Sequence, residues 1–320
     1  MIGKRAALGT YQTQREIIRA GTGLTRVSAT AVGGLLTGAI VWGLIWYPYR
    51  LLEAGGVAGP RATLLTYVVA LLASVLAFRR RLAALLKPDA QLLLIALSAG
   101  WANLAYVLGM IRGEVMQVLL LFYLAPLWTV LFARLLLHER AGMVGAAVIV
   151  LSLIGAGFML WQPTMQLPLP RSTAEWFGLS AGFTFALSNV LIRKARHQTI
   201  PVKSTAVFVG VVLVALVVMG LAPQSATAPP IAAGHWLLMI GLGLVLLLTN
   251  LAVQHGLTRV SANQAIVIML FELVVGAVSA YLLAGEGMRW NEWIGAAMIV
   301  AATLLSGRLN VEPPQRSALT

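Results

Sequence analysis

The chain has no cysteine, four histidines and only ten acidic residues in 320. Without cysteine there is no disulfide, no thiolate metal site and no cysteine nucleophile, and redox chemistry assigns no compartment. His138, His197, His235 and His255 fall in loops or at segment boundaries, without the helical His/carboxylate spacing that holds a metal, so no metal is expected. No glycine-rich phosphate loop is present, so neither a cofactor nor an ATPase subunit is implied. Charge of either sign is scarce, 10% of residues against about 25% in soluble domains. A single acid among apolar segments makes a poor catalytic set, which argues against an enzyme.

Apolar residues are abundant instead, at 59% where soluble domains have roughly 45–50%. The reading is an all-α integral membrane protein with room for ten spans of about 20 residues each. The expected spans are 29–47, 62–78, 91–110, 115–137, 143–161, 175–192, 204–221, 236–254, 262–283 and 293–306, separated by Gly, Pro and charge. The formal charge of +13 sits in short segments between apolar runs and makes no basic face, so nucleic acid is not a partner. With the amino terminus inside, all but five of the 23 lysines and arginines fall on the cytoplasmic side; Arg50, Arg61, Arg112, Arg171 and Arg289 remain outside. That bias places both termini in the cytoplasm. Residues 1–28 and 308–320 read as cytoplasmic tails.

The chain repeats itself. At an offset of 147, Gly109, Arg112, Gln117, Ala133, Leu135, Leu136 and Glu139 meet Gly256, Arg259, Gln264, Ala280, Leu282, Leu283 and Glu286. Further on, Gly145 to Val150 meets Gly295 to Val300, and at an offset of 144 Gly34 and Gly38 meet Gly178 and Gly182. Two units follow, 29–161 and 175–307, joined by a periplasmic linker, 162–174. Five spans is an odd number, so the second unit enters the membrane inverted. Inverted repeats characterise transporters that rock about a site near the midplane. The two GxxxG pairs read as close helix packing.

Glu272 lies mid-span, where a charge costs at least ~2.5 kcal/mol. Ala265, Met269, Glu272, Gly276 and Ser279 share its helical face, so the carboxylate looks into a bundle. It is either interhelical glue or a solvated group on a transport path. On the second reading a carboxyl in a poorly hydrated cavity exchanges protons near neutral pH. Asn103 and Tyr106 share a face, Ser180, Thr184 and Ser188 form a stripe, and Asn189 and Asn250 add amides. Each competes with plain interhelical hydrogen bonding. Trp101, Tyr123 and Trp128 lie deep enough for a cavity wall, whereas Trp46, Tyr47 and Trp161 suit the interface. The expected substrate contacts are Trp101, Asn103, Tyr106, Tyr123, Trp128, Thr184, Asn189, Asn250 and Glu272. Glu139 and Glu286 are expected to cap or pair locally, and Arg112 and Arg259 to anchor or gate.

Trp42-Gly43, Pro126, Glu139 and Gly145, echoed by Glu286 and Gly295, resemble the EamA-type, ten-helix branch of the drug/metabolite transporter superfamily from Ala29 to Gly307. The residue matching Pro126 is Leu273, which departs from the family's frequent ninth-helix proline and predicts a straighter helix there. The resemblance implies an inner-membrane permease that moves amino acids, related metabolites or drugs, frequently outward; a monomer or weak homodimer is expected. The absence of deeply intramembrane Lys or Arg argues against a highly anionic cargo. The alternative is a flippase for lipids or lipid-linked sugars.

Overall fold

A computed structural model describes residues 29–81, 89–112, 115–139, 142–161, 170–221, 231–285 and 287–308. The expected tails, the loops at 82–88, 162–169 and 222–230, Glu286, and the side chains of Arg112 and Gln117 lie outside the described set. The described residues form thirteen α-helices and one π-helical turn. In order they are α1 (Ala29–Leu44), α2 (Trp46–Ala54), α3 (Gly59–Phe78), α4 (Ala90–Arg112), α5 (Val115–Phe122), α6 (Ala125–Phe132), the π turn Ala133–Leu137, and α7 (Met143–Leu160). Then come α8 (Thr173–Lys194), α9 (Ile200–Leu221), α10 (Ala233–Arg259), α11 (Ala262–Met269), α12 (Phe271–Ala284) and α13 (Trp290–Arg308). Among the described residues, seven stretches are long and apolar enough to cross a membrane: Ala29–Ala54, Gly59–Arg81, Ala90–Gly109, Met143–Leu160, Ile200–Leu221, Ala233–Arg259 and Ala262–Leu283.

Local chemistry sets the ends. Ser172 accepts from Glu175 N while the Glu175 carboxylate accepts from Arg171 N and the Ser172 hydroxyl, a capping box that starts α8. Ser261 accepts from Gln264 N to start α11. His138 (φ 57°) and Gly285 (φ 67°) end the π turn and α12 in the left-handed conformation, at positions one repeat offset apart. Glycine adopts that geometry freely; a histidine there is strained.

The helices pack across the two halves. The repeat offsets pair α1 with α8, α3 with α9, α4 with α10, α5–α6 with α11–α12, and α7 with α13. The main contacts, α4 on α8, α4 on α9, and α5 and α6 on α8, have counterparts in α10 on α1, α10 on α3, and α11 and α12 on α1. The contacts α3 on α9 and α7 on α13 map onto themselves. Exchanging the halves therefore reproduces the packing, and each half finds its principal partners in the other. Apolar lipid offers little hydrophobic drive between helices, so close approach must come from small residues. A Cβ at Gly34 or Gly38 would strike Ala252 or Val253 of α10, and one at Gly178 or Gly182 would strike Val118 or Phe122 of α5. The expected packing role of both GxxxG pairs is what the structure contains.

The outer surface is apolar, with Leu76 75%, Leu237 73%, Leu248 67% and Leu282 70% exposed, as suits contact with lipid tails and not with water. Arg79, Arg80, Arg81, Arg134, Lys194, Arg196 and Arg259 are exposed at one end, hereafter the basic end. Trp161, Trp176, Trp236, Trp290 and Trp293 are exposed toward the other. Indole rings favour the lipid headgroup level.

Two expectations need correction. The ninth segment is not the uninterrupted helix that Leu273 in place of proline predicts, because α11 ends at Met269 and α12 starts at Phe271. The break falls one repeat offset from that between α5 and α6, and the chain tightens there into Leu273 N–H to Leu270 O, 3.0 Å, as Leu127 N–H bonds Leu124 O, 2.9 Å. The break belongs to the repeat's packing and does not need a proline. Second, Lys203 is no loop residue: α9 starts at Ile200, with Pro201 in its first turn, and buries Lys203 completely.

Candidate functional site

The breaks in the two discontinuous helices meet. Between them lies a void lined by Phe122, Tyr123, Ala125 and Pro126 from the first half and by Phe185, Ile266, Met269, Leu270 and Glu272 from the second. Phe122, Tyr123 and Ala125 are the repeat counterparts of Met269, Leu270 and Glu272, each at the offset of 147. The void therefore straddles the axis relating the halves, and its one acid is matched by an alanine at the equivalent position. Its volume is about 10 Å³, room for about one water. In this state the site is closed around a space too small for a metabolite.

Glu272 lies in the first turn of α12, and Tyr123 Oη donates to its Oε1 at 3.3 Å. The face predicted to turn inward does so: Ala265 is 1%, Met269 2% and Ser279 5% exposed. Gly43 of α1 packs on the backbone of Glu272 and on Val275. Ser279 Oγ donates to Gly43 O, 3.2 Å, and accepts from Trp46 Nε1, 2.9 Å, so α1 and α2 seal that flank of α12. The void continues into a run of rings, with Trp42 against Phe185 (centroids 6.3 Å), Phe185 against Phe122 (5.5 Å), and Phe122 against both Tyr123 (5.2 Å) and Tyr106 (5.0 Å). A carboxylate beside phenols and ring faces suits an amine.

Of the expected contacts, Tyr123 and Glu272 line the void, and Tyr106 adjoins it through Phe122. The others lie elsewhere. Trp101 donates to Ser180 Oγ, 3.2 Å, beside Phe177. Thr184 returns its hydroxyl to Ser180 O, 2.7 Å. Trp128 packs against the half-exposed Phe183, and its indole N–H has no partner among the described residues. Asn103 accepts from Tyr67 Oη, 2.7 Å, and donates to Ala99 O. Asn189 Nδ2 and Asn250 Oδ1 are buried without partners among the described residues. Residue-by-residue reading missed Phe122 and Phe185, and placed Met269 on the inward face without counting it as a contact. The offset of 147 carries Phe122 onto Met269 and Ala125 onto Glu272, and would have pointed to a shared wall.

The basic end is closed by Glu139. Its Oε1 accepts from Arg193 Nε at 2.5 Å and its Oε2 from Ala262 N at 3.0 Å, while Arg193 Nη1 also donates to Val260 O. Glu139 does pair and cap, but across the halves and not locally as expected, and so ties the first half to α8 and to the start of α11. Arg259, in the last turn of α10, bonds His255 on its own helix, 2.9 Å. Nearby, Asp89 accepts from Gln91 N and Leu92 N through one oxygen and from Gln198 Nε2, 2.7 Å, through the other. Partial loss of water pushes its carboxyl up, but these hydrogen bonds and the His197 ring outweigh that and hold it below the usual carboxylate range.

The apolar bundle, built from two like halves around a small shared cavity, is that of a multi-pass membrane protein. Residues 29–161 and 172–308 each match the EamA-like transporter family, and the chain belongs to it. The chain is 28% identical over 223 residues, 69% of its length and 78% of the other's, to an uncharacterized transporter of Archaeoglobus fulgidus. One solved crystal structure of a protein shares its fold at a TM-score of 0.72 and 17% identity, covering 88% of this chain and 98% of the other. The resemblance to the EamA-type drug/metabolite transporters is borne out by the family match.

Proposed function

We propose that the protein is a secondary-active transporter that exports small amphipathic metabolites, such as amino acids or drugs, across a bacterial inner membrane by alternating access. Ten transmembrane helices form two inverted five-helix repeats, 29–161 and 175–307, joined by a periplasmic linker, and both termini lie in the cytoplasm. The observation that carries the reading is the void between the two broken helices, lined by repeat counterparts and holding a single carboxylate. Broken helices around a midplane site are how such repeats expose polar groups without leaving backbone bare to lipid.

Glu272 takes an amine of the cargo from one side and a proton from the other, so that the empty site returns neutral. Tyr123 steadies the carboxylate, and the rings from Trp42 to Tyr106 receive the apolar part of the cargo. The Glu139 knot holds the cytoplasmic end shut while the site faces outward; its release separates α8 and α11 from the first half. The purified chain in proteoliposomes, tested with a panel of amino acids and aromatic amines, should move cargo faster under an inward proton gradient. Glu272→Gln should remove the gradient's effect, and unchanged coupling would end the proton role. Lipid scrambling without amine transport would favour a flippase.

A further inference from the structure

Away from the central void, buried polar groups collect along a seam between α3, α9 and α10. At 100° per residue, Gly243, Asn250 and Gln254 lie within about 40° of one another on α10. Gly243 packs against Thr66 and Val69, so this face looks toward α3. Gln254 is 1% exposed, and neither its Nε2 nor its Oε1 has a partner among the described residues. Asn250 Oδ1 has none either. Asn250 is the repeat counterpart of Asn103, whose oxygen is held by Tyr67; over the stretch of α9 corresponding to Tyr67, residues 211–214 are all aliphatic. One repeat supplies the amide with a phenol and the other leaves it bare.

On α9, Ser204 Oγ is fully buried and also without a partner among the described residues, and the adjacent Thr205 bonds the Ser74 hydroxyl of α3 at 2.6 Å. At the basic end the seam is closed by Lys203. Its ammonium donates to Thr258 Oγ1 at 2.8 Å and to Ile192 O at 3.1 Å, and Thr258 donates to Gln254 O at 2.6 Å. From Asn250 to Thr258 this polar face runs about 12 Å along the helix.

An amide with both ends unpaired is costly in a dry bundle, and buried polar groups left over in this way are ordinarily met by ordered water. We propose that the α10 face of Asn250 and Gln254 is a water-binding seam, supplied from the basic end past Lys203. It is distinct from the central void and independent of the transport reading.

The chain contains no cysteine, so single cysteines report without background. Gln254→Cys and Asn250→Cys, in membrane vesicles with the basic face outward, should react with a small methanethiosulfonate reagent at least tenfold faster than Leu246→Cys or Val253→Cys. Those two are as buried as Gln254 but lie among apolar neighbours, whereas Asn250 is partly buried. Lys203→Ala should speed labelling at 254 further. Equal rates at all four positions would overturn the proposal. Gln254→Leu gives a second readout: a wet seam loses water contacts and Tm falls, whereas an unchanged or higher Tm means the seam is dry and the proposal is wrong.

Discussion

Removing the Glu139 carboxylate tests how the two halves are held at the basic end. The Arg193 side chain is 3% exposed and that of Glu139 19%. Removing one partner of a fully buried pair costs about 3–5 kcal/mol because the other is stranded. Arg193 keeps its bond to Val260 O and Glu139 is partly wet, so the coupling should fall nearer 2 kcal/mol, within the range for hydrogen bonds to charged groups. Loss of the carboxylate from the start of α11 adds a few tenths through the helix dipole. A double-mutant cycle of Glu139→Ala and Arg193→Ala, read by reversible unfolding of the purified protein, isolates the coupling. If the single costs simply add within about 0.5 kcal/mol, the knot does not hold the halves and the reasoning fails.

Other outcomes follow from the same geometry. Tyr67→Phe leaves Asn103 Oδ1 unpaired and should destabilise by about 1–3 kcal/mol, whereas Thr184→Val, which removes only a bond to its own helix, should cost far less; both are read by thermal unfolding. Gly182→Leu drives a side chain into the Phe122 backbone beside the void and should abolish folding or transport, while Gly157→Leu, which meets open space, should be tolerated. Asp89 has its carboxyl held below the usual value, so its stabilisation is complete above the ordinary carboxylate range and is lost as pH falls through the lowered value. Tm should therefore drop more steeply from pH 5 to pH 3 in the natural protein than in Asp89→Asn.

Much of the scaffold was legible because membrane helices announce themselves by length and apolarity, and because paired Gly, Arg, Gln and Glu positions betray duplication. The GxxxG pairs and Glu139 behave as their chemistry suggests. The site was harder to read, since a polar residue in a span says that it needs a partner but not which one. Asn103 found Tyr67, and Trp101 found Ser180; only Tyr123 and Glu272 turned to the common void. The break at Leu270 was invisible because no proline marks it; the packing of the repeat imposes it.

The account depends most on two halves of one design inserted in opposite senses. Glu53 and His197 occupy the same repeat position, 144 residues apart, and both are exposed. Glu53→Cys and His197→Cys should therefore be labelled by an impermeant thiol reagent from opposite faces of the membrane, position 53 from outside and position 197 from the cytoplasm. Labelling of both from one face would contradict the inverted repeat and the mechanism built on it.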